Sequence, residues 1–318
     1  MELTAPVLYI TFARPEYVRQ SFEAIKKAKP KKLYFYSNKA RDEKSDEVRR
    51  NEEVRKFVEE IDWECDLHTW FRDEYVDVWT SIPGAINWVY ENEDRAIVIE
   101  EDAVCSLAFF DFCQKMLDKY ENDLRIWSIG GSNFVTKKVR HQYDYYFSHH
   151  SFITGWASWR DRWLKLDFKH VQARSILEAD VMKATFCSPG EQRLYTKYLK
   201  QGMSEYERNK NWDGIFNFTC RAQGAMTIIP AYHLVKNVGQ KGVNNKTFLR
   251  SRAYQDVNYQ GDEYVINTEP PFFVADYDFE QEIYKYKRWQ SSLIRRGIDR
   301  LCWFVFVKCF KMKPLKNS

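Results

Sequence analysis

The sequence lacks four features that would each assign it to a class of protein at once. No apolar run approaches the roughly 20 residues that a transmembrane helix needs, and the start, with an early Glu2 and a short apolar run, is not typical of a signal peptide. The seven cysteines include no CxxC pair. They therefore indicate reduced thiols in a cytoplasmic protein rather than a disulfide framework or a zinc site. With 12 glycines and 9 prolines, collagen-like and low-complexity sequence are excluded.

The chain does have enough apolar sequence for a sizeable core. Its 318 residues are 44% hydrophobic and 30% charged, which excludes global disorder and fits one large α/β domain or two smaller ones. Aromatic residues reach 17%. A protein that stacks on sugars, bases or lipid would use such rings, although we expect most of them to lie in the core.

Positive charge is concentrated at the C-terminus. Residues 285–318 contain ten Lys or Arg and one acid, Asp299, whereas the rest of the chain carries more acids than bases. An acidic body argues against nucleic acid as a partner of this protein. The basic tail predicts a separate role for the C-terminal segment.

Apolar runs alternate with helix signals through the first half of the chain. The predicted strands are 7–12, 33–36, 65–70, 96–99 and 126–129, and the predicted helices are 14–29, 45–60, 81–91 and 107–120. Repeated β-α-β units indicate an α/β fold with a mostly parallel, Rossmann-like sheet flanked by helices. The second half is less regular, with a helix predicted at 191–206 and a strand at 226–229.

Three acids, Glu100-Glu101-Asp102, follow the fourth predicted strand directly. In open parallel sheets, ligands bind beyond the carboxyl ends of the strands, and three adjacent carboxylates repel one another unless a cation is present. Their oxygens suit Mg²⁺ or Mn²⁺, which proteins hold with one or two carboxylates and substrate phosphates. The alternative is an acidic turn that caps the helix beginning near Leu107.

Several segments in chain order resemble the nucleotide-sugar glycosyltransferases of the GT-A fold, above all the N-acetylglucosaminyltransferase I family and its bacterial relatives. Val98-Ile99-Glu100-Glu101-Asp102 is similar to that family's Glu-Asp-Asp form of the DXD motif. The other segments are 5–14, Ser37-Asn38 with Arg41, Phe109-Phe110 with Tyr120, Tyr145–Ser148, 155–160, Trp212-Asp213 and 230–239. The chain departs from the family at Glu101, which replaces Asp, and at Asn38, where many relatives have an acid. It departs again at Gly214, where the eukaryotic enzymes have a second Asp.

The resemblance implies transfer of a sugar from a nucleotide-diphospho-sugar, most often a UDP-sugar, to a glycan or lipid-linked glycan acceptor. It implies that Asp102 binds a Mn²⁺ or Mg²⁺ ion that bridges the donor diphosphate. The donor-binding residues implied by the resemblance are Arg14, Asn38, Glu100, Glu101, Gly155 and Trp156, the last two lining the cleft between donor and acceptor.

The implied reaction is an inverting, direct displacement. Such a reaction needs a carboxylate that takes the proton of the acceptor hydroxyl as the new bond forms. The resemblance implies Asp213 for this role, with Glu205 and Asp161 as alternatives.

Two other classes of protein remain open at this point. A sugar-1-phosphate nucleotidyltransferase would share the α/β half and the metal. It should carry a Gly-rich phosphate loop after the first strand, where Phe12-Ala13-Arg14-Pro15 has no glycine. A non-catalytic sugar-binding protein would explain the aromatic residues but not the three acids at a strand end. The neighbouring His149-His150 have no third ligand at a metal-site spacing and are predicted to be structural.

We predict a GT-A domain at 1–280, divided into a nucleotide-sugar-binding half, 1–135, and an acceptor half, 136–280, and followed by a basic amphipathic tail, 281–318. Apolar residues of the tail recur at helical spacing, and most of its basic residues lie off that stripe. A helix of this kind lies in a membrane surface. We therefore expect 285–312 to attach the protein peripherally to the inner face of a bacterial cell membrane. Docking of the stripe on the body or on a second subunit is the alternative.

Overall fold

The computed structural model describes residues 2–135, 142–166, 183, 185–206, 212–239 and 259–291. They form the predicted α/β fold, with a large, mostly parallel sheet flanked by helices. The strands are β1 Val7–Thr11, β2 Lys32–Ser37, β3 Asp66–Phe71, β4 Arg95–Glu100, β5 Ala103–Cys105, β6 Ile126–Gly130, β7 Tyr145–Ser148, β8 Trp156–Trp159, β9 Met226–Pro230 and β10 Val235–Asn237. The helices are α1 Pro15–Ala28, α2 Ser45–Arg55, α3 Val78–Asn92, α4 Leu107–Lys119, α5 Arg160–Trp163, α6 Pro189–Tyr206, α7 Trp212–Ala222 and α8 Tyr277–Ser291.

Eight of the described strands form one sheet in the order β3-β2-β1-β4-β8-β6-β9-β7. Strands β3, β2, β1 and β4 are parallel. Strand β8 runs antiparallel between β4 and β6, and β9 is parallel to β6. Strand β7 is antiparallel to β9 at the edge, and β5 pairs with β10 in a separate two-stranded sheet. Because β1, β2 and β4 are parallel, their carboxyl ends lie side by side at one end of the strands of the large sheet.

Both faces of the sheet are covered, as the consecutive apolar residues of its strands predict. In β1, Val7 and Tyr9 pack on the side of α1 and α4, whereas Leu8 and Ile10 pack on the side of α3 and α7. The two-residue period of a strand produces this division. Because both faces of β4 are buried in the same way, its residues 96–99 include no polar side chain.

The structure confirms the predicted strands and helices of the first half, with ends that differ by a few residues. The charged helix predicted at 45–60 is α2 followed by a 3₁₀ turn, Lys56–Glu60. The sequence did not reveal strands β5, β7, β8 and β10. These strands have three or four residues each, and β7 and β8 are buried throughout, so they show no alternation of polar and apolar positions.

Helix α8 begins at Tyr277, earlier than the basic tail was predicted to begin, and crosses the proposed boundary at 280/281. Its residues Phe279 and Ile283 are fully buried and pack in a small core with Tyr146 and Ile229. The first part of the predicted tail is thus packed on the body. Most of the predicted amphipathic stripe lies at 292–318, outside the described residues. No helix in the described part of the chain combines the length and the apolarity that a membrane crossing requires.

Candidate functional site

The three acids lie beside β1, where the chain stops adding strands on one side of the sheet and begins to add them on the other. From β1 the chain adds β2 and β3 on one side and then returns to add β4 on the other. Glu100 ends β4 beside β1, and Phe12 to Arg14 follow β1 at the same edge. A crevice outside the carboxyl ends of strands at such a point is the usual ligand site of an open α/β sheet.

Glu101, the middle acid, forms hydrogen bonds within the protein. Its side chain is 4% exposed, and its two oxygens accept hydrogen bonds from Arg14 Nε at 2.5 Å and from the backbone N of Phe12 at 2.7 Å. The backbone oxygen of Glu101 accepts a further bond from Ser21 Oγ at 2.8 Å. These contacts make Glu101 an anchor between the end of β1 and the start of the acidic turn. They do not support the prediction that Glu101 binds the nucleotide-sugar donor.

Asp102 is partly open to solvent, with 18% of its side chain exposed. Its Oδ2 lies 3.1 Å from Arg14 Nη1, and its backbone oxygen accepts from the backbone N of Val238 at 2.8 Å. The pairing of β5 with β10 brings Gly239 over this carboxylate, where a Cβ atom would collide with Oδ2. Only glycine therefore fits at position 239 with Asp102 in this place.

The acids do not cap the helix that follows them, which excludes that alternative. Strand β5 separates Asp102 from α4. The first turn of α4 is capped by Ser106, whose Oγ accepts from the backbone N of Phe109 at 3.1 Å, while Asp262 accepts from the backbone N of Leu107 at 2.5 Å. A structural role at a helix terminus therefore does not explain the run of acids.

Asp213 lies in the first turn of α7 and acts electrostatically on the acidic turn. Burial, and then the charge of Asp102, raise the pKa of Glu100 to about 8, and the charge of Asp213 makes a smaller contribution to the same rise. Asp213 is exposed, with its Oδ1 accepting from the backbone N of Gly214 at 2.9 Å. The charges of Asp102 and Asp213 thus both act on Glu100.

Asp161, one of the two alternatives to Asp213, lies near the amino end of β4, whereas the three acids lie at its carboxyl end. It follows β8, which is antiparallel to β4, and the last residue of β8, Trp159, pairs with Arg95 at the start of β4. Asp161 forms an ion pair with Arg162 at 2.6 Å there. The side chain of the other alternative, Glu205, lies outside the described part of the structure.

The available carboxylates fit a small divalent cation. With Glu101 occupied, Glu100 and Asp102 remain as two oxygen donors that are open to solvent in part. The pKa of Glu100 is raised mainly by burial and then by the charge of Asp102, and a bound cation would oppose both effects. Two carboxylates completed by phosphate oxygens are a common set for Mg²⁺, and the same hard oxygens suit Mn²⁺.

Asn38 is buried at 6% exposure and does not present its amide to the site. Its Nδ2 donates to the backbone oxygen of Val76 at 2.7 Å, and its Oδ1 accepts from the backbone N of Lys39 at 3.0 Å. The first of these bonds holds the loop that carries Tyr75, a ring 43% exposed and 6.3 Å from the ring of Phe12. This pair of rings, partly exposed at Phe12 and exposed at Tyr75, could not be predicted from the sequence, because the contact joins loops about sixty residues apart.

Gly155 and Trp156 are both buried. Gly155 has a φ of 62°, and a Cβ there would lie 2.8 Å from Val235 Cγ2, so the position requires glycine. The ring of Trp156 is 1% exposed and packs against Trp163, Trp212 and Phe216. It therefore supports Trp212, the residue before Asp213, from below, and its ring does not line an open cleft.

His150 belongs to a second group of charged side chains, all of them buried except Lys287, which is half-buried. Its Nε2 lies 3.0 Å from Glu191 Oε1 and 3.7 Å from Glu280 Oε2. Arg221 Nη2 contacts the same two carboxylates at 3.1 Å and 3.9 Å, and Lys287 Nζ lies 2.8 Å from His150 Nδ1. These residues come from α6, α7, α8 and the segment after β7. We call them the buried charge cluster.

The histidine and the two carboxylates of this cluster could reach one metal ion, but their proton arrangement opposes it. The ammonium of Lys287 only donates, so Nδ1 of His150 accepts and Nε2 carries the ring proton. A protonated Nε2 cannot bind a metal, and this nitrogen lies 3.0 Å from Glu191 Oε1 without forming an aligned hydrogen bond. Arg221 already supplies positive charge to both carboxylates. The structural role predicted for His150 agrees with these contacts.

No protein-family model matches the chain, and no curated protein matches it. Among solved structures, HddC from Yersinia pseudotuberculosis is 11% identical with a TM-score of 0.31, over 49% of this chain and 77% of HddC. An apo UDP-glucose pyrophosphorylase is 7% identical with a TM-score of 0.33, over 70% and 90%. A 4-diphosphocytidyl-2C-methyl-D-erythritol synthase from Anaerococcus prevotii is 10% identical with a TM-score of 0.35, over 72% and 89%. TM-scores this low carry no argument about what the chain does.

Proposed function

We propose that the chain is a metal-dependent glycosyltransferase that moves a sugar from a nucleotide-diphospho-sugar to a glycan or glycolipid acceptor with inversion. The observation that supports the proposal is the position of Glu100 and Asp102 at the carboxyl end of β4 beside β1, where the charge of Asp213 also acts on Glu100. Glu100 and Asp102 would hold a Mn²⁺ or Mg²⁺ ion, which stabilises charge on the departing nucleoside diphosphate.

The residues around β1 define how the donor lies. Arg14 pairs with the Asp102 carboxylate and is the cation that we propose for the donor diphosphate. The partly exposed ring of Phe12 and the exposed ring of Tyr75 lie together and offer an apolar surface suited to the face of a nucleobase. Asn38 holds the loop that carries Tyr75, so it acts on the donor through that loop. A UDP-sugar is the proposed donor.

Asp213 is the proposed base. It lies in the first turn of α7, and its side chain is exposed to solvent, from which an acceptor would arrive. Taking that proton while the acceptor oxygen attacks the anomeric carbon gives inversion without an enzyme nucleophile. The aromatic group of Trp156, Trp163 and Phe216 beneath Trp212 keeps the start of α7 in place.

The test is a panel of nucleotide sugars incubated with the protein and glycan acceptors, with Mn²⁺, with Mg²⁺ and with a chelator. We expect a metal-dependent release of nucleoside diphosphate from one donor. Formation of a nucleotide sugar and pyrophosphate from a nucleoside triphosphate would instead identify a sugar-1-phosphate nucleotidyltransferase. Binding of sugar without any turnover would identify a non-catalytic protein.

We propose further that the basic segment 285–312 attaches the enzyme to the inner face of a bacterial cell membrane, where a lipid-linked glycan would be its acceptor. Each Lys or Arg near anionic lipid contributes about 1 kcal/mol to binding. The full chain is therefore expected to sediment with anionic liposomes at low salt, and Arg295→Glu with Arg296→Glu should weaken this. The matched control is Lys27→Glu with Lys200→Glu, two exposed residues of the body. Equal sedimentation of both double variants would contradict attachment through the tail.

A further inference from the structure

Helix α8 brings two charged side chains into the interior of the acceptor half. Glu280 accepts from Ser148 Oγ at 2.5 Å and from the backbone N of His149 at 3.1 Å. Two turns later on the helix, Lys287 donates to Nδ1 of His150 at 2.8 Å, and its ammonium lies 5.8 Å from the ring centre of Phe152. Both residues therefore bind the short segment that follows β7.

Lys287 differs from the other cation of the buried charge cluster, because no carboxylate pairs with it directly. Arg221 contacts Glu191 at 3.1 Å and Glu280 at 3.9 Å. Among the described residues, Lys287 forms no ion pair, and its hydrogen-bond partner is an imidazole. Its positive charge is therefore compensated only in part nearby and acts on carboxylates further away.

A short series of hydrogen bonds leads from the segment that Lys287 contacts to Asp213. The backbone N of Ser151 donates to Asn217 Oδ1 at 2.9 Å, and Asn217 Nδ2 donates to the backbone oxygen of Asp213 at 3.0 Å. The segment after β7 therefore holds the first turn of α7. Burial lowers the pKa of Lys287 to about 8, and the charge of Asp213 is among those that oppose this shift.

We propose that Lys287 is a positioning residue for Asp213, an inference that rests on the proposed function of Asp213 as the base. The ammonium favours the ionised form of the Asp213 carboxyl, which is the form that a base needs when the acceptor arrives. The hydrogen bond to His150 orients the segment on which the first turn of α7 depends. Lys287 lies in α8 and is one of the ten basic residues of 285–318, so a residue of the segment predicted as a tail contributes to the site.

The groups that face Lys287 determine the pH range in which it acts. They are His150, Arg221, Glu191, Glu280 and Asp213. Burial lowers the pKa of His150 well below its ordinary value, so its ring stays neutral. Burial raises the pKa of Glu280 to about 7, although Arg221 opposes this shift. Below pH 8, Lys287 is charged and favours ionised Asp213, and this effect is lost as the pH rises through the pKa of Lys287.

The first experiment compares Lys287→Met with Lys287→Arg and with Lys197→Met. Lys197 is the matched control, an exposed lysine of α6 that lies outside the proposed membrane-binding segment. For Lys287→Met we expect kcat/KM to fall several-fold at about pH 6 and the acidic limb of its pH profile to move to higher pH. Lys287→Arg should restore the acidic limb, and Lys197→Met should match the wild type. A rate lowered equally at every pH, with Arg no better than Met, would overturn the inference.

The second experiment separates this inference from the proposed function, because it needs no substrate. In a double-mutant cycle of Lys287→Met and Asp213→Asn, followed by urea unfolding at low salt, Lys287→Met should destabilise less once Asp213 is neutral. Additive effects of the two changes would overturn the inference, whatever the protein catalyses. If the coupling is present but no nucleotide sugar is turned over, the proposed function fails and the pairing of the two residues stands.

Discussion

Asp102→Asn is expected to reduce metal-dependent turnover by more than about 10³-fold while the protein stays folded. The change removes the charge of the carboxylate with little change in volume, and the bond from the backbone N of Val238 to the oxygen of residue 102 does not depend on the side chain. Charge stabilisation by a catalytic metal is worth several kcal/mol, and each 1.36 kcal/mol corresponds to about a tenfold change in rate. The measurement is the initial rate across a Mn²⁺ titration, with thermal unfolding as the check on folding.

The matched control for this change is Asp111→Asn. Asp111 lies on α4 and pairs with Lys115 at 2.7 Å, so it loses the same charge outside the site. We expect its rate and its Mn²⁺ dependence to equal those of the wild type. Near-wild-type activity of purified Asp102→Asn would contradict the metal site and, with it, the proposed role of the acidic turn.

Asp213→Asn is expected to lower kcat by about 10²–10⁴-fold, the usual contribution of a general base. The KM for the donor should change little, because Asp213 lies on α7 and the donor is proposed to lie along β1. Steady-state kinetics with donor and acceptor varied separately measure the two effects. The asparagine keeps the hydrogen bond that Oδ1 accepts from the backbone N of Gly214, so the first turn of α7 should stay in place.

Asp161→Asn provides the comparison for Asp213. Asp161 was an alternative base on sequence grounds, and the structure places it near the amino end of β4, away from the three acids. Its rate should therefore be unchanged. If Asp213→Asn instead destroys donor binding while kcat holds, Asp213 is a binding residue, and Glu205 becomes the better candidate for the base.

The sequence predicted the part of the fold that depends on local patterns. Residues 96–99 of β4 are apolar because both faces of the strand are buried, and the acids that follow them mark the end of the strand. The contacts of each acid could not be predicted from the same local pattern. Glu101 is occupied by Arg14 and Phe12, residues almost ninety positions away, whereas its neighbours are more open. Only tertiary contacts distinguish the three carboxylates.

The buried charge cluster shows the same limit. His150, Glu191, Arg221 and Lys287 lie far apart in the sequence, and each alone looks like an ordinary surface residue. Charge composition separated residues after 280 as a tail, because ten of them are basic. The structure assigns the described part of α8 to the body instead, because its apolar residues Phe279 and Ile283 pack in a core. Composition describes the average of a segment and cannot assign the few residues that are buried.

The contact between Arg14 and Asp102 has a consequence for the order in which ligands load. A divalent cation must compete with the guanidinium for the same carboxylate, so the free protein should hold its ion weakly. A donor diphosphate would offer Arg14 other oxygens and leave Asp102 available to the cation. On the proposed function, metal and nucleotide sugar would therefore bind cooperatively, each raising the affinity for the other. Where free Mn²⁺ is scarce, the supply of donor would set how much of the protein carries a metal ion.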